Sequence, residues 1–123
     1  MIEQRNVLGE PLEACCMDPV TGFLRDGRCA VISEDHGVHA ICAEVTKDFL
    51  KFSKSAGNDL STPREEFGFP GLKDGDRWCL CASRWVEAHE AGCAPRVFLK
   101  STHEAALGFV SLSVLQEFAI DDD

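Results

Sequence analysis

Apolar and polar positions along this 123-residue chain follow one scheme three times: a short apolar segment, a hydroxyl residue, then an amphipathic segment. In the first instance, residues 38–45 are apolar and β-branched at intervals, which is typical of a strand. Four apolar residues then follow at the spacing of one helix face: Val45, Phe49, Phe52 and Ala56. Thr46 suits the N-cap and Gly57 the stop, so the pattern predicts a strand followed by a helix.

The scheme recurs twice more along the chain. Residues 77–82 predict a second strand, with Ser83 capping a helix that runs to Gly92. Residues 96–101 predict a third strand, with Thr102 capping another helical stretch, and a last helix is predicted at about Val114 to Ala119. Alternating strands and helices are typical of crossover units with at least partly parallel pairing. We therefore expect an α/β or α+β fold: a small, mostly parallel or mixed sheet of three to four strands, with about four helices and long ordered loops.

Two segments do not fit the scheme, residues 9–37 and residues 57–76, and the second holds four glycines and two prolines. Phe67 and Phe69 are anchors that a floppy linker would not need, so we expect ordered loops within one compact domain spanning residues 1–123. Residues 120–123, which end in three aspartates, are expected to form a solvated acidic tail.

Charge and composition exclude some functions. The chain has 21 acidic and 12 basic residues, a formal net charge of −9, which argues against binding a phosphate backbone. Its first residues lack the apolar core of a secretion signal and no run reaches transmembrane length, so we expect no membrane partner and a cytoplasmic location. Cytosolic thiols stay mostly reduced, so the seven cysteines are not expected to form a disulfide framework.

Cys79 and Cys81 are the two cysteines that most invite a chemical role. On a regular strand they share one face, about 6.6 Å apart, which is too far for them to bridge each other. A metal would need two further ligands from elsewhere in the chain. We expect the cysteines as a group to be reduced thiols buried in the core. At Cys79 and Cys81 a metal pair or a redox or nucleophilic thiol stays open, because the cationic Arg77 falls on the same strand face.

A binding site is expected where the strands end, because ligands bind outside the carboxyl ends of parallel strands. The three exits carry Thr46-Lys47, Ser83-Arg84 and Thr102-His103, and helix amino termini there would favour an anion. The candidate ligand-binding residues, from these exits, the strands and the irregular segments, are Arg25, Asp26, Asn58, Asp59, Thr62, Arg64, Arg77, Arg84, Thr102 and His103. The alternative is that the hydroxyl residues are simple helix caps and that the loop residues bond the loop's own backbone.

His103 is the natural acid–base candidate and Cys81 the natural nucleophile, although an uncharged capping histidine is a common alternative. The sequence shows no nucleophile elbow, phosphate-binding loop, dinucleotide-binding glycine motif or zinc-protease motif, and it leaves the identity of any cofactor unknown.

Four uncommon sequence motifs occur in order along the chain: "CCMDPVTGFLRDGRC", "GNDLSTP", "FGFPGLKDGDRWCLCASRW" and "STHEAAL". Together they resemble a family of small bacterial proteins known as domain of unknown function 2237, over about Asn6 to Ala119. The resemblance implies a compact single domain and supplies no activity, cofactor or catalytic residue.

The leading hypothesis is a cytosolic domain that binds a small anionic metabolite, with or without catalysis, at the strand ends and the 57–76 loop. One alternative is a thiol-redox or metal-binding protein that uses Cys79 and Cys81. Another is an acidic module that docks a basic protein.

Overall fold

The computed structural model describes residues 4–15, 21, 27–31, 38–64, 66 and 71–121. Within them lie three strands, β1 (Ile41–Glu44), β2 (Arg77–Leu80) and β3 (Arg96–Val97). The α-helices of the same residues are α1 (Lys47–Ser55), α2 (Ala82–Glu90) and α3 (Leu112–Glu117), and 3-10 helices lie at Leu99–Ser101 and Glu104–Gly108. The small α+β fold is confirmed, with three α-helices in the described part of the chain rather than about four.

The sheet is antiparallel, so the predicted parallel or mixed pairing is wrong. Its strand order is β2-β1-β3, and both outer strands run antiparallel to β1. Val45 donates its N–H to the carbonyl of Asp76 at 2.8 Å, and Gly75 donates to the carbonyl of Val45 at 2.9 Å. The start of β2 therefore lies beside the end of β1, as in a hairpin whose connection has been lengthened by α1 and the loop after it. Because that loop returns the chain to the edge where β1 ends, β2 runs back along β1 instead of parallel to it.

One face of the sheet packs against the helices. Ile41 and Ala43 of β1 lie on this face with Trp78 and Leu80 of β2, in one core cluster that includes Phe49 of α1 and Trp85 of α2. Trp85 is fully buried, and its indole N–H donates to the carbonyl of Pro95 at 3.1 Å. Burying each of these large apolar side chains stabilises the fold by about 1.5–3 kcal/mol.

Helix α1 begins and ends as predicted. The hydroxyl of Thr46 accepts the N–H of Phe49 at 3.0 Å, which satisfies one of the first-turn donors of the helix. Gly57 follows with φ +97°, a left-handed conformation that glycine adopts without a steric penalty.

Other element bounds differ from the prediction. Helix α2 begins one residue after Cys81, so Ser83 lies in its first turn, and α3 is capped by Ser111. The third strand has only two residues because the carboxylate of Asp121 accepts the N–H groups of Leu99 and Lys100, at 2.7 and 3.1 Å, as the backbone turns out of the sheet. Asp121 is thus bonded to the fold rather than part of a solvated tail.

The opposite face of the sheet carries two disulfides, Cys15–Cys42 and Cys29–Cys79. Cys42 and Cys79 lie directly opposite each other on β1 and β2, and their partners come from the amino-terminal segment, which covers this face. The expectation of reduced core thiols is therefore wrong for these four residues, because folding brings together cysteines that are 27 and 50 positions apart. Of the cysteines that the structure describes, Cys81 and Cys93 remain thiols.

The described part of the chain contains no helix that is both long and apolar enough to cross a membrane.

Candidate functional site

A cavity of about 210 Å³ lies beside β2 and the residue that follows it. Four side chains with polar or reactive groups line it: His39, Asn58, Cys81 and Arg84. Its remaining lining comes from Leu60 and from Trp78, Cys79 and Leu80 of β2. The cavity therefore combines the carboxyl end of β2 with the loop after α1.

Cys81 contributes a thiol to this cavity. It is the N-cap residue of α2 and is partly exposed, and its sulfur lies 3.2 Å from the hydroxyl oxygen of Ser83. A hydroxyl at that distance can donate to a thiolate sulfur. Cys79 lines the same cavity but is buried and bonded to Cys29, so the pair for which a metal or thiol role stays open in the sequence consists of one thiol and one disulfide cysteine.

Arg84 is held in place from two sides. Its Nη1 donates to the carbonyl of Ala56, just past α1, and to the carboxylate of Glu87, both at 3.2 Å. These contacts to the described residues engage only Nη1, and a guanidinium carries donors on Nη2 and Nε as well. Arg84 can therefore stay anchored while it presents further donors to a ligand.

Asn58 reaches the cavity from the end of α1. Its backbone N–H donates to the carbonyl of Ser53 at 2.8 Å, and its carbonyl accepts the Ser53 hydroxyl at 2.6 Å. The two bonds fix the backbone from which the amide side chain extends, so Asn58 is a preorganised polar group beside Arg84.

His39 follows a residue with unusual backbone geometry. Val38 has φ +50°, which is an outlier for a β-branched residue. Its carbonyl accepts N–H groups from Ala40 at 2.8 Å and from Ala82 at 3.0 Å, which ties the start of β1 to the start of α2. This local strain, of order 1–3 kcal/mol, places His39 at the cavity. His39 falls within residues 38–45, which the sequence predicts as a strand, and no sequence signal links it to Arg84.

The strand exits do not gather along one rim. Ala82 and His103 both bond the segment just before β1, through the carbonyls of Val38 and Ala40, so the exits of β2 and β3 share one edge of the sheet. Lys47, which follows β1, lies at the opposite edge because β1 runs the other way. The expected three-exit pocket is therefore wrong.

Thr102 and His103 lie near that shared edge but outside the cavity. The Thr102 hydroxyl is fully buried, donates to the carbonyl of Phe98 at 2.8 Å and accepts the N–H of Cys42 at 3.2 Å. The buried His103 ring accepts the N–H of Ala105 on Nδ1 at 2.9 Å, and burial lowers its pKa from 6.5. The His103 contact is that of the capping alternative, whereas the prediction that Thr102 caps this helical stretch is wrong, because His103 is its N-cap and the Thr102 hydroxyl bonds Phe98 and Cys42 instead. An acid–base role for His103 stays a prediction.

The other loop candidates lie outside the cavity. Asp59 accepts the N–H groups of Ser61 and Thr62, at 2.9 and 3.2 Å, and the Thr62 hydroxyl at 2.6 Å, and this last bond is the main cause that lowers the Asp59 pKa. Such bonds are those of a self-stabilised loop. Arg64 is exposed, and the guanidinium of Arg77 stacks 4.1 Å from the ring centre of Phe98 on the disulfide face. Arg25 and Asp26 lie outside the described residues.

The sequence profile of one protein family, described as an uncharacterized protein conserved in bacteria (DUF2237), matches residues 5–119. The chain belongs to this family, and the resemblance indicated by its sequence motifs is confirmed. No curated protein matches the chain.

Proposed function

We propose that this member of the family binds a small anionic molecule in the cavity beside β2 and presents the Cys81 thiol to it. The proposal depends on one observation: Arg84, His39, Asn58 and a thiol converge on a single cavity of about 210 Å³. Drug-sized ligands occupy cavities of roughly 300–1,000 Å³, so the ligand class is a smaller molecule with one carboxylate or phosphate group.

Charge supports an anionic ligand. The chain has a formal net charge of −9, yet the cationic Arg84 faces this cavity together with His39. The anchored guanidinium of Arg84 matches the geometry of a carboxylate or phosphate, which it can bind through two parallel hydrogen bonds. The same net charge favours a small ligand over nucleic acid.

The cytoplasm is the compartment that we propose. The chain has seven cysteines, an odd number, and Cys81 and Cys93 are thiols in the structure. Secreted disulfide frameworks usually pair an even number of cysteines, so remaining thiols suit a reducing compartment better. In such a compartment the two disulfides would be opened by cellular thiols.

The test compares two alkylating agents of similar size and different charge. Iodoacetate carries a carboxylate and iodoacetamide does not, so their relative rates at one thiol report whether its surroundings attract anions. Cys93 is a matched internal control because it is a thiol of comparable exposure on another loop. The rate of labelling at each cysteine is followed by mass spectrometry of the oxidised protein.

We expect the iodoacetate-to-iodoacetamide rate ratio to be roughly fivefold higher at Cys81 than at Cys93. Two opposite charges about 4 Å apart attract by about 1 kcal/mol in water, which corresponds to that factor. Arg84→Gln should remove most of the difference and Arg84→Lys should restore part of it. Arg96→Gln removes an equal charge from an exposed arginine of β3 and should leave the ratio unchanged. Equal ratios at the two cysteines in the unmodified protein would contradict the proposal.

A further inference from the structure

The disulfide face of the sheet holds a compact group of sulfur atoms. The sulfur atoms of Cys15, Cys29 and Cys79 all lie within 4.8 Å of one another, and Cys42 is bonded to Cys15. All four residues are at most 4% exposed. Phe98 packs against the group, and Cys81 is not a member of it.

Two pairs of antiparallel segments bring these sulfurs together: β1 with β2, and the segment at Ala14 with the segment at Arg28. Cys42 bonds Thr102 and Phe98 through its backbone while Cys79 donates its N–H to Thr21, so the two cysteines form a non-hydrogen-bonded cross-strand pair. Side chains in such pairs lie closest together.

The partners of that pair come from a second antiparallel arrangement. Cys15 and Cys29 each follow one member of the bridge between Ala14 and Arg28, and Cys15 donates its N–H to the carbonyl of Gly27 at 2.6 Å. Backbone hydrogen bonds therefore hold both pairs of cysteines, independently of the bonds between the sulfurs.

We propose that the reduced protein binds one Zn²⁺ ion through the thiolates of Cys15, Cys29, Cys42 and Cys79. Thiolates are soft ligands that favour zinc, and structural zinc sites commonly use four cysteines in a tetrahedron. A zinc–sulfur distance of about 2.3 Å requires neighbouring sulfurs to lie about 3.8 Å apart, a separation within the span of the Cys15, Cys29 and Cys79 sulfurs. The Cys42 sulfur is held next to these three by its bond to Cys15. The site lacks the closely spaced cysteine pairs of common zinc motifs, because each ligand comes from a different segment.

The surroundings fit a closed structural site. The four sulfurs are buried and Phe98 packs against them, which leaves little access for a substrate. Four thiolates around Zn²⁺ carry a net charge of −2, and the guanidinium of Arg77 stacks on the Phe98 ring at 4.1 Å. This cluster holds few apolar groups besides sulfur, so the cross-links add to the hydrogen bonds that join the amino-terminal segment to the rest of the fold here. The ion would take over that role when the disulfides are reduced.

The exchange between the two forms balances as follows. Two molecules of a dithiol reduce the two disulfides, become two cyclic disulfides, and leave four cysteine thiols. These four thiols bind Zn²⁺ and release four protons. In the reverse direction, two molecules of hydrogen peroxide accept four electrons and four protons from the site and its solvent, which yields Zn²⁺, two disulfides and four molecules of water.

The experiment uses the full chain, reduced without oxygen by a phosphine and then desalted after incubation with Zn²⁺ or Co²⁺. We expect about one metal ion per chain by elemental analysis, and for Co²⁺ the visible absorption of tetrahedral thiolate coordination. Hydrogen peroxide should release the zinc and restore both disulfides. Reduced protein of native helical content that retains no metal, or a Co²⁺ spectrum without thiolate bands, would overturn the proposal.

Variants locate the ligands. Cys42→Ser and Cys79→Ser should lower retained zinc at least tenfold, whereas Cys93→Ser and Cys81→Ser should retain the wild-type amount. Cys93 is the matched control because its thiol lies outside the cluster, and Cys81 belongs to the cavity. Loss of metal on replacing Cys81 or Cys93 would refute the assigned ligand set. The outcome is independent of the anion-binding proposal, which is tested on the oxidised protein.

Discussion

Removing the disulfides should lower the free energy of unfolding by several kcal/mol. In the chain-entropy description, a cross-link between residues 50 positions apart, as in Cys29–Cys79, stabilises by about 4 kcal/mol. The 27-residue separation of Cys15–Cys42 corresponds to about 3.5 kcal/mol. Because the two loops share residues 29–42, their sum is an upper bound for removing both. Domains of this size are stable by about 5–15 kcal/mol in total, so the reduced, metal-free protein should be marginal.

Equilibrium unfolding in urea provides the assay. Trp85 and Trp78 are both buried, so their fluorescence reports the loss of the core. The oxidised protein is compared with the Cys29→Ala/Cys79→Ala variant, the Cys15→Ala/Cys42→Ala variant and the wild type reduced in the presence of a chelator. Each double variant should show a loss of about 2–5 kcal/mol, and the reduced wild type should lose at least as much as either variant, up to the sum of the two.

Two controls separate the cross-links from other effects. Cys93→Ala removes a thiol outside the cluster and should change stability by less than about 0.5 kcal/mol. Reduction of the wild type removes the cross-links without replacing any side chain, so it distinguishes their loss from the loss of buried sulfur. Unfolding midpoints that do not change upon reduction in chelator would refute the reasoning.

Two further predictions concern the shared edge of the sheet. Thr102→Val should lower the free energy of unfolding measured in urea by about 1–3 kcal/mol, because the isosteric side chain leaves the Phe98 carbonyl and the Cys42 N–H without their buried partner. Thr102→Ser keeps the hydroxyl and is the control. A valine variant as stable as the wild type would contradict this prediction. Burial lowers the pKa of His103 in the folded protein from 6.5, so as the pH falls the unfolded chain takes up the proton first. The stability that the neutral ring contributes is therefore complete above about pH 6.5, and it is lost as the pH falls toward the lowered pKa of the folded state. His103→Asn retains a capping acceptor and should lose less stability than the wild type between pH 7 and 5. Identical pH profiles of the two proteins would show that His103 does not contribute to the pH dependence of stability.

Helix α1 shows what local sequence determines. Thr46 supplies an acceptor to a free N–H three residues on, Phe49 recurs on the buried face, and Gly57 accepts a left-handed backbone. Each of these features acts within a few residues, so the pattern alone predicts where this helix lies.

The direction of β2 depended on information that periodicity does not contain. An apolar run predicts a strand, but the same run serves a parallel or an antiparallel neighbour, and the loop after α1 is long enough to reach either end of β1. Because β2 runs antiparallel, Arg84 and Lys47 lie at opposite edges of the sheet.

The sequence by itself determined the family and indicated the strands and the first helix. It also drew attention to Asn58, Cys81 and Arg84, because polar and reactive residues that follow a helix or a strand are visible in one dimension. The tertiary structure alone decided that His39 joins them and that four distant cysteines share one buried cluster. Contacts between residues tens of positions apart depend on how the segments pack against each other. Packing buries side chains next to each other although no local sequence pattern links them.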